Sequence, residues 1–337
     1  MKKPEVFVTG ANGEIGQRLI EALAEEGIYD IVALDLREPD PALSTLCKAF
    51  YRGNILDRTL ISGIETNHRF EIIYHLAGLL SSTGERNPKL AHEVNVDGSI
   101  NILQVAQNHS HLMGKPAVFI FSSSIAAYGV QDSDDRSLPV KERQFLTPKT
   151  MYGINKLYIE QLGRYYTRFY KGEDAEPAAK LDFRCLRFPG LISPDTVPSG
   201  GTSDYGPEML HAAAQGEAYE CFVSADTVLP FMVMSDAIRS LMMLSRARSE
   251  DMDNNIYNVT SFSVSAEQIR QRVLEAFPEA KISFRQDERK QAIVNSWPGI
   301  LDDSLARKEW NWKPEYDFES AFQHILLPKV KERYQQF

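Results

Sequence analysis

The chain has 337 residues, 43% hydrophobic and 25% charged, a globular composition that excludes a mainly disordered, collagen-like or coiled-coil chain. Its 37 Lys plus Arg against 46 Asp plus Glu leave a formal charge of −9, which argues against a nucleic-acid partner, since that needs a basic face. No apolar run approaches the ~20 residues that span a bilayer, so no membrane partner is expected.

Residues Glu5–Thr9 read as a buried strand. Residues 13–26 carry Ile15, Leu19, Ile20, Leu23 and Ala24 at helical spacing. Strands follow at 31–36, 50–53, 72–76, 117–122 and 181–188, with helical periodicity at 88–108 and 150–170. Strands alternating with helices predict an α/β fold, a doubly wound parallel sheet covered on both faces. After about Gly190 the texture changes. Pro194, Pro198, Gly200, Gly201, Gly206 and Pro207 make a turn-rich stretch, and shorter elements follow at 219–223, 235–245, 255–259, 265–277, 302–309 and 318–333. We expect residues 1–190 to form a nucleotide-binding domain to which about 229–262 returns. Residues 191–337 are expected to be mainly a smaller substrate-capping α/β region. Residues 171–180 are charged and read as an exposed loop.

Gly10, Gly13 and Gly16 give GxxGxxG directly after the first strand and at the opening of the first helix. Glycines let the backbone approach a pyrophosphate, which then sits on the helix N-terminus. The turn brings Asn12, Glu14 and Ile15 with it. Asp35 ends the second strand, 19 residues past Gly16, followed by Leu36 and Arg37. A carboxylate there accepts from ribose hydroxyls and repels a 2′-phosphate, which predicts NAD rather than NADP. Arg37 reads as a solvated or adenine-stacking side chain, the alternative being a phosphate partner. Asn54 and Ile55, before Asp57, are candidate adenine contacts. Leu76, Ala77 and Gly78 end the fourth strand, where small residues let the cofactor pass.

Tyr152 and Lys156 stand at i and i+4, on one helix face. An adjacent ammonium is expected to lower the phenol pKa and make it a base. Ser122, Ser123 and Ser124 end the fifth strand, where α/β sheets bind ligands. A hydroxyl there can hold the substrate oxygen.

Three cysteines, Cys47, Cys185 and Cys221, are scattered, with no CxxC and no HExxH, so neither a disulfide framework nor a metal site is expected. The nearest histidine pair, His109 and His111, reads as a solvated helix end. No signal-like apolar segment or Arg-rich leader is evident, so a cytoplasmic location is expected; a removed transit peptide would instead indicate the mitochondrial matrix.

The glycine turn, the strand-end serines and the Tyr/Lys pair together resemble the extended short-chain dehydrogenase/reductase superfamily. Residues 79–85, 186–193, 200–205, 229–239 and 296–310 look like one branch of it, the NAD-dependent L-threonine 3-dehydrogenases related to UDP-galactose 4-epimerase. The resemblance implies a Rossmann domain, Ser124, Tyr152 and Lys156 as the catalytic set, and Pro189 and Leu191 beside the cofactor. It implies oxidation of L-threonine at C3 without metal, in threonine degradation. Candidate substrate partners are Ser81, Thr83, Thr202, Ser203, Asp204 and Trp297, with Ser124 and Tyr152. Ser203 stands where the branch has Thr, and keeps the hydroxyl. Asp204 either balances the ammonium or orients its loop. Trp297 either closes the pocket or is structural, Arg187 can pair with an acid in the core, and 81–84 can be a loop bonded to itself.

Sugar-nucleotide enzymes of the superfamily carry an Asn after the Arg-Tyr/Phe of strand six. Arg187, Phe188, Pro189 and Gly190 supply none, which speaks for a small substrate. A sugar-nucleotide epimerase or dehydratase and a non-catalytic NAD-binding sensor are the alternatives. The resemblance also implies a homodimer through a four-helix bundle of the helices at 88–108 and 150–170. Tyr158, Leu162, Tyr165, Tyr166 and Phe169 would pack there or against their own sheet. The stretch 194–207 is the candidate moving element over the substrate.

Overall fold

The structure, a computed structural model, describes residues 3–131, 134–172, 181–198 and 201–335. The loop expected at 171–180 therefore lies outside the described residues from 173 onward, as does Gly200.

Twelve strands occur among the described residues. They are β1 (Glu5–Thr9), β2 (Asp30–Asp35), β3 (Ala49–Arg52), β4 (Phe70–His75), β5 (Val118–Ser124) and β6 (Asp182–Phe188), then β7 (Gly190–Ile192), β8 (Tyr219–Cys221), β9 (Val228–Val233), β10 (Ile256–Asn258), β11 (Phe262–Ser265) and β12 (Ile282–Phe284). Seven form one sheet in the order β10-β6-β5-β4-β1-β2-β3, every pairing parallel. The chain runs outward from β1 through β2 and β3, then returns past β1 to β4. That reversal opens a crevice beyond the carboxyl ends of β1 and β4, where such sheets bind ligands.

The apolar runs are continuous because both faces of each strand are covered. Val6 and Val8 of β1 join one core with Leu19, Ile20 and Leu23 of the helix Glu14–Glu26 and Leu241 of Met234–Arg246. Phe7 points the other way, into a core with Ile61 of Arg58–Asn67, Ile102 of Ser99–Met113 and Ile159 of Met151–Arg168. Fully burying an aliphatic side chain contributes about 1.5–3 kcal/mol, so these alternating sets hold the three layers together. On Met151–Arg168, Tyr166 is buried toward its own sheet while Tyr158, Tyr165 and Phe169 are exposed.

A third core lies over the carboxyl end of the sheet. β7, β9 and β11 form a small sheet in the order β11-β9-β7, and β8 pairs with β12. Tyr205, Met209, Phe231 and Ile269 fill the space between this sheet and the helices Tyr205–Gln215 and Ala266–Ala276. Within 229–262, β10 joins the large sheet beside β6, whereas β9 belongs to the small one.

The reading of both histidines as a solvated helix end is corrected. His111 is exposed, but His109 is fully buried, and its Nδ1 accepts the Phe70 N–H at 3.0 Å. It lies on the inner face of Ser99–Met113 with Ile102, Val105 and Ala106, where an acceptor for a strand N–H is needed. Among the described residues no helix is long and apolar enough to cross a membrane, and no group of three His, Cys, Asp or Glu is set to hold a metal ion.

Candidate active site

Glycine is required at the first turn for two separate reasons. Gly10 has φ +71°, and a Cβ there would lie 2.7 Å from the Ala77 nitrogen. A Cβ on Gly16 would lie 2.3 Å from the Gly10 carbonyl oxygen, so the helix can approach the strand only without one. Gly13 caps the helix, whose first N–H groups have no intrahelical acceptor. Asp35 braces the turn from β2. Its Oδ2 accepts the Asn12 N–H at 2.9 Å, and its Oδ1 accepts the Arg37 N–H at 3.0 Å. The Asn12 amide donates to the Arg37 and Glu38 carbonyls, and the Arg37 guanidinium donates back to the Asn12 carbonyl at 2.6 Å.

Beyond this turn a cavity of about 400 Å³ runs under the small sheet. Ser122, Ser123 and Ser124 line it from the end of β5, and Tyr152 and Lys156 from the first turns of Met151–Arg168. Thr150 caps that helix through the Gly153 N–H. A Cβ on Gly153 would overlap the Ala126 carbonyl oxygen at 1.9 Å, so the helix start presses directly on the chain after Ser124. Ser124 Oγ accepts from the Ala126 N–H at 3.1 Å, and its hydroxyl faces the Tyr152 phenol.

Electrostatics here depart from the sequence expectation. Burial pushes the Tyr152 phenol up to about 12, and the facing Ser124 hydroxyl only partly offsets it. Burial likewise pushes the Lys156 ammonium down to about 8, against the pull of Cys185 and Glu160. Lys156 Nζ lies 5.4 Å from the Tyr152 ring centroid and 4.6 Å over the Phe121 ring, and it donates to the Ser122 carbonyl. Desolvation, not the neighbouring ammonium, dominates the phenol.

Beneath the serines lies a buried polar network. Ser123 Oγ donates to Glu160 at 2.6 Å, and Glu160 takes both arms of Arg187 at 2.8 and 2.5 Å. Arg187 therefore does pair with an acid in the core. On the other side of Lys156, His75 spans Thr9 Oγ1 at 2.7 Å and Ser99 Oγ at 2.8 Å. Burial and the Lys156 charge push its pKa down to about 3, so the ring is neutral.

The roof carries the proposed substrate groups. Ser81 Oγ and Thr202 Oγ1 stand 3.3 Å apart, joining the helix Ser81–Arg86 to the segment before Tyr205–Gln215. The stretch read as a loop at 81–84 is thus helical. Ser203, Asp204 and Trp297 line the same cavity. Asp204 Oδ2 accepts the Gly201 N–H at 2.6 Å, so it orients its loop. Trp297 is only 4% exposed and packs in the upper core as well, so wall and core roles coincide.

The model of the NAD dependent epimerase/dehydratase family matches residues 6–260. The chain belongs to that family. It is 35% identical over 322 residues to the mitochondrial L-threonine 3-dehydrogenase of Bos taurus, covering 95% of this chain and 81% of that one. It is 33% identical to an uncharacterized epimerase/dehydratase of Staphylococcus haemolyticus, over 98% of both chains. Among solved structures, a monomeric L-threonine 3-dehydrogenase from a metagenome superposes with a TM-score of 0.83 at 34% identity, over 98% of this chain and 99% of that one.

NAD is the cofactor of this epimerase/dehydratase family member, and the residues fit it. The cradle at Gly10 and Gly16 has no room for a Cβ, and Gly13, Glu14, Ile15, Leu76, Gly78, Pro189 and Leu191 line the cavity beside it. Asp35 is placed at the end of β2, with side-chain exposure of 10%. Several expected residues do not line the cavity. Thr83 is on the exposed side of its helix, and Leu36 is 62% exposed. Asn54 Oδ1 closes its own turn on the Leu56 N–H at 3.0 Å, while Ile55 is buried and its carbonyl accepts from Asn101. Ala77 flanks Gly10 from behind.

Sequence reasoning missed Asn95. Its amide holds the backbone after β4 at both ends, accepting the Leu79 N–H at 2.7 Å and donating to the Leu79 carbonyl at 3.1 Å. It sits in a wide helical turn, Glu93–Gly98, of the kind that marks functional sites. The signal available was a polar Asn at helical spacing from Ala91, Ser99 and Ile102, all buried on one face.

Proposed function

We propose that the protein oxidises L-threonine at C3 to 2-amino-3-oxobutanoate while NAD is reduced to NADH. The observation that carries this is the meeting of Tyr152, Ser124 and Lys156 in one cavity with Ser81 and Thr202, whose hydroxyls stand 3.3 Å apart. Bound NAD would supply the hydride acceptor and a cationic ring that favours the Tyr152 phenolate. Tyr152 takes the proton of the threonine hydroxyl as the carbonyl forms, and Ser124 donates to that oxygen. Lys156 holds the end of β5 and the ribose side of the site. Asp204, besides orienting its loop through Gly201, faces the substrate ammonium, and Ser81, Thr202 and Ser203 take the substrate carboxylate. Trp297 closes the wall and keeps water out.

A small substrate is supported by the chain after β6. Pro189 has no N–H to offer a second diphosphate, and a side chain at Gly190 beside it would collide with Phe231. The test is NADH production scanned over L-threonine, L-allo-threonine, L-serine and UDP-sugars, with and without chelator. We expect turnover with L-threonine, unaffected by chelator. Epimerisation of a UDP-sugar, or NAD binding without any turnover, would replace this reading with one of its two alternatives.

The proposal includes a homodimer and a cytoplasmic location. Leu90, Ile154, Tyr158, Tyr165 and Phe169, exposed at 38%, 49%, 49%, 43% and 61%, form the apolar face that a four-helix bundle would cover. A monomeric mass by light scattering at all concentrations would remove the dimer, and the metagenomic relative is itself named monomeric. Subcellular fractionation tests the location.

A further inference from the structure

A carboxylate at a phosphate cradle calls for an explanation. Glu14 opens its helix directly after Gly13 and lines the cavity with Gly10 and Gly16. Its Oε1 is buried without a hydrogen-bond partner. The Ser193 and Thr196 hydroxyls face its carboxylate from the segment after β7. Asp204 repels it from the start of Tyr205–Gln215, and Arg18 attracts it from one turn along its own helix. Arg18 is shared, since it also pairs with Glu21 at 2.8 Å and with Asp195 at 3.0 Å. Asp195 is held besides by Lys329 at 3.7 Å and through its carbonyl by Arg333, and His211 bonds the Ser193 carbonyl. The segment 193–198 is therefore anchored independently of Glu14.

A dinucleotide brings two phosphate charges to this turn. A half-enclosed carboxylate beside them is relieved by taking a proton, which also turns an acceptor oxygen into a donor. Burial first, and then the charge of Asp204, already favour the neutral acid.

We infer that Glu14 couples cofactor binding to proton uptake: the Gly10–Gly16 turn holds NAD with Glu14 as the neutral acid, one proton coming from solvent, so that rising pH loosens the cofactor. This rests on the NAD site alone and is independent of which alcohol is oxidised.

The test is isothermal titration calorimetry of NAD into the full-length protein, in buffers of differing protonation enthalpy. The range is about pH 5.5–7.5, below the Lys156 value of about 8. Wild type should take up a fraction of a proton, with Kd rising about three- to tenfold across the range, the ceiling being about tenfold per pH unit for one proton. Glu14→Gln, nearly the same shape and neutral, should show no uptake and bind NAD more tightly than wild type at the upper end. ADP-ribose, which keeps the diphosphate and lacks the nicotinamide, should show the same uptake as NAD. Zero uptake in wild type, unchanged uptake in Glu14→Gln, or uptake confined to NAD would each overturn the inference.

Discussion

Lys156 Nζ donates to the Ser122 carbonyl at 2.6 Å, so the ammonium is pinned to the strand end two residues before Ser124. This contact fixes the relative position of helix Met151–Arg168 and β5, and with it the separation of Tyr152 from Ser124. The proposed catalytic trio is thus held by a strand and a helix rather than by a loop.

Replacing the phenol tests its proposed role directly. Tyr152→Phe removes the hydroxyl that faces Ser124 and keeps the ring that fills the cavity wall. We expect kcat for L-threonine oxidation to fall by about 10²–10⁴, the usual weight of one acid–base group, with NAD binding near wild type. Initial rates of NADH formation and calorimetric NAD titration check this; a variant with near-normal kcat would remove Tyr152 from the chemistry.

A second expectation concerns acid. His75 is fully buried, and burial together with Lys156 holds its pKa down at about 3, against about 6.5 for the unfolded chain. The unfolded state therefore binds a proton that the folded state refuses. Stability from this group is complete above about pH 6.5 and is lost as pH falls toward about 3, by about 3–5 kcal/mol in all. Denaturant unfolding between about pH 7 and 4 should show this decline. The His75 ring signals in NMR should stay those of the neutral form throughout; a His75 titration midpoint near the unperturbed value would contradict the network with Thr9 and Ser99.

Asn95→Ala should leave the Leu79 N–H and carbonyl without their partners. Two unsatisfied backbone groups cost about 1–3 kcal/mol each, so the melting temperature should drop. Because Leu79 follows Gly78 at the cavity wall, KM for NAD should rise more than kcat falls. An unchanged KM with lowered stability would restrict Asn95 to a structural part.

The elements legible in the sequence were those whose pattern matches their environment. β1 came out with its final bounds because Val6, Phe7 and Val8 are apolar on both of its buried faces, while Glu5 at its start is covered through its pairing with Lys48. The helix Met151–Arg168 announced itself through its helical periodicity over 150–170. β9 was hidden by Pro230, which sits opposite Ser263 in a strand flanked on both sides, an unusual place for a residue without an N–H. The helix Arg58–Asn67 was overlooked beside Asp57, whose carboxylate caps it through the Thr59 and Leu60 N–H groups. Within the site, the glycine turn and the Tyr/Lys spacing were readable because their geometry is local. The Ser81–Thr202 contact joins residues 121 apart in sequence, and Glu160 meets Arg187 only through the packing of a helix on a strand. No spacing rule encodes either.

A single residue, Pro189, separates the large sheet from the small one on the way out, and β9 runs straight into the helix Met234–Arg246 on the way back. Both seams are short. The chain crosses a third time between β10 and β11, where three residues, Val259 to Ser261, lead from the large sheet back to the small one. The joint and the binding wall are the same stretch of chain: Phe188, Pro189, Gly190 and Leu191 line the cavity where the two sheets meet, so whatever shifts one sheet against the other reshapes the site.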